Sequence, residues 1–218
     1  MCYLKSNYKV QSENAKLKFI EFDHMKLVEK FDLEYDREYL YIYFVGANYR
    51  LGMKSGVIQR IESNSEDNNL KYIDAEYNEV MSILDLFDYS KDVPKGQLKL
   101  SGNFVAPNGL KGVVKGGFAG GGSNMFSKYA DKFSQNIEKL EKACEKLGGK
   151  KINSGDVGYI IDIFKCLPFM FVFYDRDSDF EPEIKIFWDE NVLDYVHYET
   201  TYFMIIYLFD KICELMEV

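Results

Sequence analysis

Apolar positions recur along this chain in two rhythms, one of three or four residues and one of two. The first helical rhythm spans about Ser12 to Lys30, with Ser12 as its cap and Phe19, Ile20, Leu27, Val28 and Phe31 as core contacts. Its register breaks near Phe22-Asp23-His24, which is consistent with two shorter helices. Tyr39 to Val45, rich in aromatic and β-branched residues, predicts a strand, and Gly46-Ala47-Asn48 a turn. Tyr49 to Met53 and Val57 to Ile61 complete a meander, separated by a turn at Lys54-Ser55-Gly56. Ser63 to Asn69 offers nothing apolar to bury and reads as a loop. Tyr72 to Phe87 is helical, with Ile73, Tyr77, Val80, Met81, Leu84 and Phe87 on one face.

The rhythms then repeat. Ser123 or Asn124 caps a helix whose stripe is Phe126, Tyr129, Phe133, Ile137, Leu140, Cys144 and Leu147, ended by Gly148-Gly149. Val157, Tyr159, Ile161 and Ile163 alternate along a strand. Pro168 breaks the chain, and the nearly continuous apolar run Phe169 to Tyr174 predicts a central strand. Ile184, Ile186 and Trp188 alternate on a third strand, and a helix from about Glu199 to Met216 closes the chain. The order helix, three strands, helix thus occurs twice. It predicts one α+β domain over residues 1–218, with similar halves at 12–90 and 123–218 sharing one core. Strands in meanders imply mainly antiparallel sheets. A glycine-rich loop, 98–122, joins the halves.

Charge narrows the partners. A formal net charge of −8 repels phosphate backbones and argues against nucleic-acid binding by a general basic surface. The N-terminal Met1-Cys2-Tyr3-Leu4-Lys5 lacks the apolar core of a secretory signal. The apolar run Tyr202 to Phe209 is far short of the roughly 20 residues that span a bilayer. Cys2, Cys144, Cys166 and Cys213 form no CxxC pair and suit neither zinc nor an iron–sulfur cluster, so reduced thiols in the cytoplasm are expected. Cys144 and Cys213 read as small core residues.

Candidate chemistry is sparse. Gly117-Phe118-Ala119-Gly120-Gly121-Gly122-Ser123-Asn124 leads straight into a capped helix, the arrangement in which free N–H groups meet an anion. No lysine follows the glycines as a P-loop requires, and GxGxxG after a strand is absent. Lys111 and Lys115 could supply counter-charge, with Gly116, Gly117, Phe118 and Ser123 as the ligand loop. The alternative is a connector. Asp175-Arg176-Asp177-Ser178-Asp179 resembles the opening of a calcium loop, but Phe180 stands where Gly is needed and Ile186 where Glu is needed. It also resembles the aspartate pair of haloacid-dehalogenase-type phosphatases, without the residue that pattern wants at Asp179. The plain reading is an acidic turn between strands. His24 and His197 are the only histidines, read as a surface helix residue and a packed or capping residue. Tyr39, Tyr41, Tyr43 and Val45 would share a sheet face, ordinarily core or half-covered, alternatively a platform for a planar ligand.

From Phe31 onward the chain resembles the DUF3786 family, uncharacterised bacterial and archaeal proteins. The resemblance is carried by Tyr39 to Tyr49, Gly102-Asn103-Phe104-Val105 leading to Gly116-Gly117, Leu147 to Lys150, Gly155-Asp156-Val157, Leu167-Pro168, Asp177 to Pro182 and Phe187-Trp188-Asp189. It implies a cytoplasmic domain without assigned biochemistry. It singles out Gly116, Gly117, Asp156, Asp177, Asp179 and Asp189. Neither the residues nor the resemblance identifies a cofactor, a catalytic residue or a metal site. The leading expectation is a non-enzymatic small-molecule-binding or accessory domain. The alternatives are a divalent-metal-dependent hydrolase or transferase using Asp175 to Asp179, and a protein-interaction module; a homodimer stays open.

Overall fold

The computed structural model describes residues 2–63, 69–90, 92–113 and 125–217. The chain divides into two compact units, Met1–Leu98 with Asp194–Ile205, and Lys99–Leu193 with Ile206–Val218.

The first unit opens with α1 (Cys2–Ile20) and α2 (His24–Phe31), divided at the register break; α1 starts well ahead of the expected cap, and Ser12 lies inside it, donating to Lys9 O at 3.0 Å. Asp23 makes the break: its side chain accepts from Lys26 N and caps α2. A five-stranded antiparallel meander follows, β1 (Glu34–Tyr35), β2 (Tyr39–Phe44), β3 (Ala47–Gly52), β4 (Ile58–Ser63) and β5 (Leu70–Asp74), in that spatial order. Then comes α3 (Tyr77–Ser90). Alternation sorts β2 cleanly, with Leu40, Ile42 and Phe44 buried while Tyr39, Tyr41 and Tyr43 stay half-exposed. Phe19 of α1 stacks on Phe87 of α3 with ring centroids 6.1 Å apart. Glu79 is 1% exposed in this core. Its carboxylate accepts from Tyr49 Oη at 2.6 Å, Arg60 Nη1 at 2.7 Å and the Glu76 N–H at 2.6 Å. The last bond is the reach-back of a capping box, so one buried charge both starts α3 and ties it to the sheet.

The second unit contains β6 (Phe104–Val105), α4 (Ser127–Phe133), α5 (Ile137–Lys146), β7 (Lys150–Lys151), β8 (Val157–Phe164), β9 (Leu167–Tyr174) and β10 (Glu183–Asp189). The strand order β6-β10-β9-β8-β7 is antiparallel throughout and puts the apolar strand β9 at the centre, as expected. The closing helix α6 (Tyr198–Glu217) gives its first residues to the first unit and those from Ile206 to the second. Phe209 of α6 is fully buried, with ring centroids 5.3 Å from Tyr129, 5.8 Å from Phe133 and 5.7 Å from Phe171. The helix stripe and the sheet's inner face thus meet on one side chain. Gly148 N donates to Glu145 O and Gly149 N to Cys144 O, a Schellman ending of α5 in which Gly148 takes φ +75°. Two five-stranded antiparallel sheets with flanking helices make this an α+β fold.

Several expectations need correction. Each sheet has five strands rather than three. The extra ones are β1, β6 and β7, of two residues each, and β5, which occupies the start of the expected Tyr72–Phe87 helix. Short edge strands leave no alternation to read. The expected single helix from Ser123 to Leu147 is two, because Gln135 takes φ +62° and ends α4. Val45 does not continue the tyrosine face. It forms a two-residue turn with Gly46, at φ +43° and +75°, and its side chain is buried. Such hairpin turns require positive φ at both positions, which costs valine about 1–3 kcal/mol that burial offsets. Pro168 does not break the chain before β9 but lies within it, opposite Asp162, where the ladder shifts between Asp162 and Phe164. A bulge tolerates a residue without an N–H. Among the described residues no helix is long and apolar enough to cross a membrane.

Candidate functional site

The turn between β9 and β10, residues 175–182, is built on carboxylates that accept from backbone N–H groups. Asp175 accepts from Ser134 Oγ at 2.6 Å, from Gln135 N at 3.1 Å and from Arg176 N at 2.7 Å. This contact holds the α4–α5 junction in its left-handed turn. Burial raises the Asp175 carboxyl's pKa, but these hydrogen bonds and the Arg176 charge outweigh it and hold it below the usual value. Asp156 Oδ2 accepts from Asp175 N at 2.7 Å, while Asp156 N donates to Phe173 O at 3.0 Å. The preceding Gly155 has φ +66°, and a Cβ there would lie 2.4 Å from Val172 Cγ1 and 2.6 Å from Phe173 O. Only glycine fits. Asp177 Oδ1 accepts from Asp179 N and Phe180 N, both at 2.8 Å, an Asx turn that presents Phe180 at 73% exposure.

Beside this turn lies an open cleft of about 620 Å³. Six carboxylates line it, Asp131, Asp156, Asp175, Asp177, Glu181 and Glu183, with Lys185 beside them and Arg176 paired with two of them. Tyr174, Phe180 and Pro182 supply apolar surface. Arg176 reaches across, its Nη2 at 2.6 Å from Glu181 Oε2 and 3.4 Å from Asp131 Oδ1. Lys185 Nζ sits 4.7 Å from the Tyr174 ring centroid and 3.5 Å from Glu183 Oε2. The field of the cleft is negative, so it attracts cations and opposes anions.

Of the residues expected to form a site, Asp156 and Asp177 line this cleft. Asp179 takes part in the same turn but is not among the lining residues. Lys111 is elsewhere, donating to Asn191 Oδ1 at 2.9 Å and lying 3.4 Å from Glu190 Oε1. Lys115, Gly116, Gly117, Phe118 and Ser123 fall outside the described residues. Among the described residues, no three His, Cys, Asp or Glu are grouped to hold a metal ion. Asp131 and Glu183 carried no signal as a sequence motif, since α4 supplies the first and β10 the second, and Glu181 was marked only as part of the Asp177 to Pro182 segment.

The remaining candidates serve the fold. Asp189, 1% exposed, accepts from Gly102 N at 2.7 Å, Asn191 N at 2.9 Å and Ser101 N at 3.1 Å, tying the segment ahead of β6 to the end of β10. Burial raises its pKa, but the backbone N–H groups prevail and leave it lowered. His197, expected as a packed or capping residue, stands just ahead of α6 with its N–H and Nδ1 both paired with Asp85, the latter at 2.7 Å, and its ring 4.2 Å from that of Tyr89. His24 is less exposed than a surface helix residue: it packs on the Phe19 ring, centroids 4.8 Å apart, with Nε2 3.0 Å from Phe19 O. Arg50 belongs to the half-exposed tyrosine face, lying 4.5 Å from the Tyr39 centroid and 3.2 Å from that of Tyr72. Tyr41 donates to Asp36 at 2.7 Å, and that bond, with burial, pushes its pKa up to about 12. Cys144, Cys166 and Cys213 are unpaired, and Cys144 and Cys213 are buried as expected.

A family model, a domain of unknown function called DUF3786, matches residues 23–211. No curated protein and no solved structure matches the chain.

Proposed function

We propose that this chain, which belongs to the DUF3786 family, is a non-enzymatic binding or accessory domain whose cleft beside the β9–β10 turn takes a small organic cation. One observation carries the reading: six carboxylates outnumber two cations, Lys185 and Arg176, around about 620 Å³, with Tyr174 and Phe180 at hand for an alkyl chain or a cation–π contact. The anionic ligand expected from the glycine loop finds less support, because Lys111 is engaged by Glu190 and Asn191. A metal-dependent hydrolase finds less support too, since Asp175 and Asp177 already accept backbone N–H groups. The negative charge of the cleft also favours a partner other than nucleic acid. The unpaired described cysteines accord with a cytoplasmic setting, which belongs to the same proposal.

The pinning of the cleft supports a preformed site. Asp175 fastens the hairpin to the α4–α5 junction, and Asp156 fastens Asp175, so neither carboxylate needs to be reorganised on binding. Arg176 occupies two of the outer carboxylates, and an incoming ammonium or guanidinium would compete with it. Isothermal titration with spermidine at low ionic strength tests the reading. Binding that weakens with added salt, and weakens again in Asp131→Asn/Glu183→Gln, supports it. The absence of binding at millimolar spermidine overturns it.

A further inference from the structure

We draw no further inference here: the strongest candidate, the half-exposed outer face of the first unit's sheet around Tyr39, Tyr41, Arg50 and Tyr72, carries nothing because nothing in the structure shows what covers it.

Discussion

Replacing Asp189 with asparagine tests how a buried carboxylate serves this fold. Its Oδ1 accepts from Ser101 N and Asn191 N, and its Oδ2 from Gly102 N. Asparagine with its oxygen toward the first two keeps those bonds but makes them neutral, a loss of about 1 kcal/mol each. Its amide nitrogen then faces the Gly102 N–H, donor against donor, which costs about 1–3 kcal/mol in a buried site. The sum is about 3–5 kcal/mol, a large part of the roughly 5–15 kcal/mol that holds a domain together. The sole tryptophan, Trp188, is the preceding residue and fully buried, so its fluorescence during urea unfolding reports this unit. The pH dependence has a definite sign. The folded-state pKa is lowered, so the carboxylate's contribution is complete above the ordinary value of about 3.9 and is lost as pH falls through the folded value. The gap between wild type and Asp189→Asn should therefore be constant near neutrality and shrink in acid. A loss below about 1 kcal/mol at pH 7, or a gap that does not close in acid, would refute the reasoning.

Other positions give sharper local tests. Gly155→Ala forces a Cβ to within 2.4 Å of Val172 Cγ1 at a positive φ, and should cost about 2–4 kcal/mol in the same unfolding assay. Glu79→Gln removes the buried carboxylate that Arg60 Nη1 meets at 2.7 Å and should cost about 3 kcal/mol, read by thermal melting of far-ultraviolet circular dichroism. Burial pushes the thiol pKa of Cys166 up to about 11 and raises those of Cys144 and Cys213. Iodoacetamide at pH 8, followed by peptide mass spectrometry, should modify Cys166 about a hundredfold or more slowly than an unfolded control. Equal rates would contradict the raised pKa of this half-buried thiol.

Long periodic runs survive translation into structure here because one physical requirement, burying a face, writes itself into consecutive residues. Of the predicted stripe, Phe126, Tyr129, Phe133, Leu140, Cys144 and Leu147 are buried and Ile137 is half-buried, even though the helix carrying it is broken. The break itself was not legible, because it depends on Asp175, 40 residues away from Gln135, holding that residue's N–H. β9 was readable as central because its run from Phe169 to Phe173 is apolar on both faces, with Phe169, Phe171, Val172 and Phe173 buried and Met170 half-buried. Two-residue strands such as β1 and β7 bury little and leave no pattern. The strained Val45 looked like the last residue of a strand, since its burial, not its backbone preference, fixes its place. For the site, the acidic turn at Asp175 to Asp179 was visible, and so was its reading as a turn. Its meeting with Asp131 and Asp156 was not, because the fold assembles them from α4 and the segment ahead of β8.

The proposal stands or falls with the charge of that cleft. The most direct measurement is spermidine titration followed by backbone amide chemical shifts, in wild type and in Asp131→Asn/Glu183→Gln. In the wild type the account predicts shifts concentrated at residues 127–135, 156 and 174–185. Each carboxylate removed should weaken binding roughly two- to fivefold, as expected for exposed charge pairs. Shifts scattered over the acidic surface, or an affinity unchanged in the double variant, would contradict it.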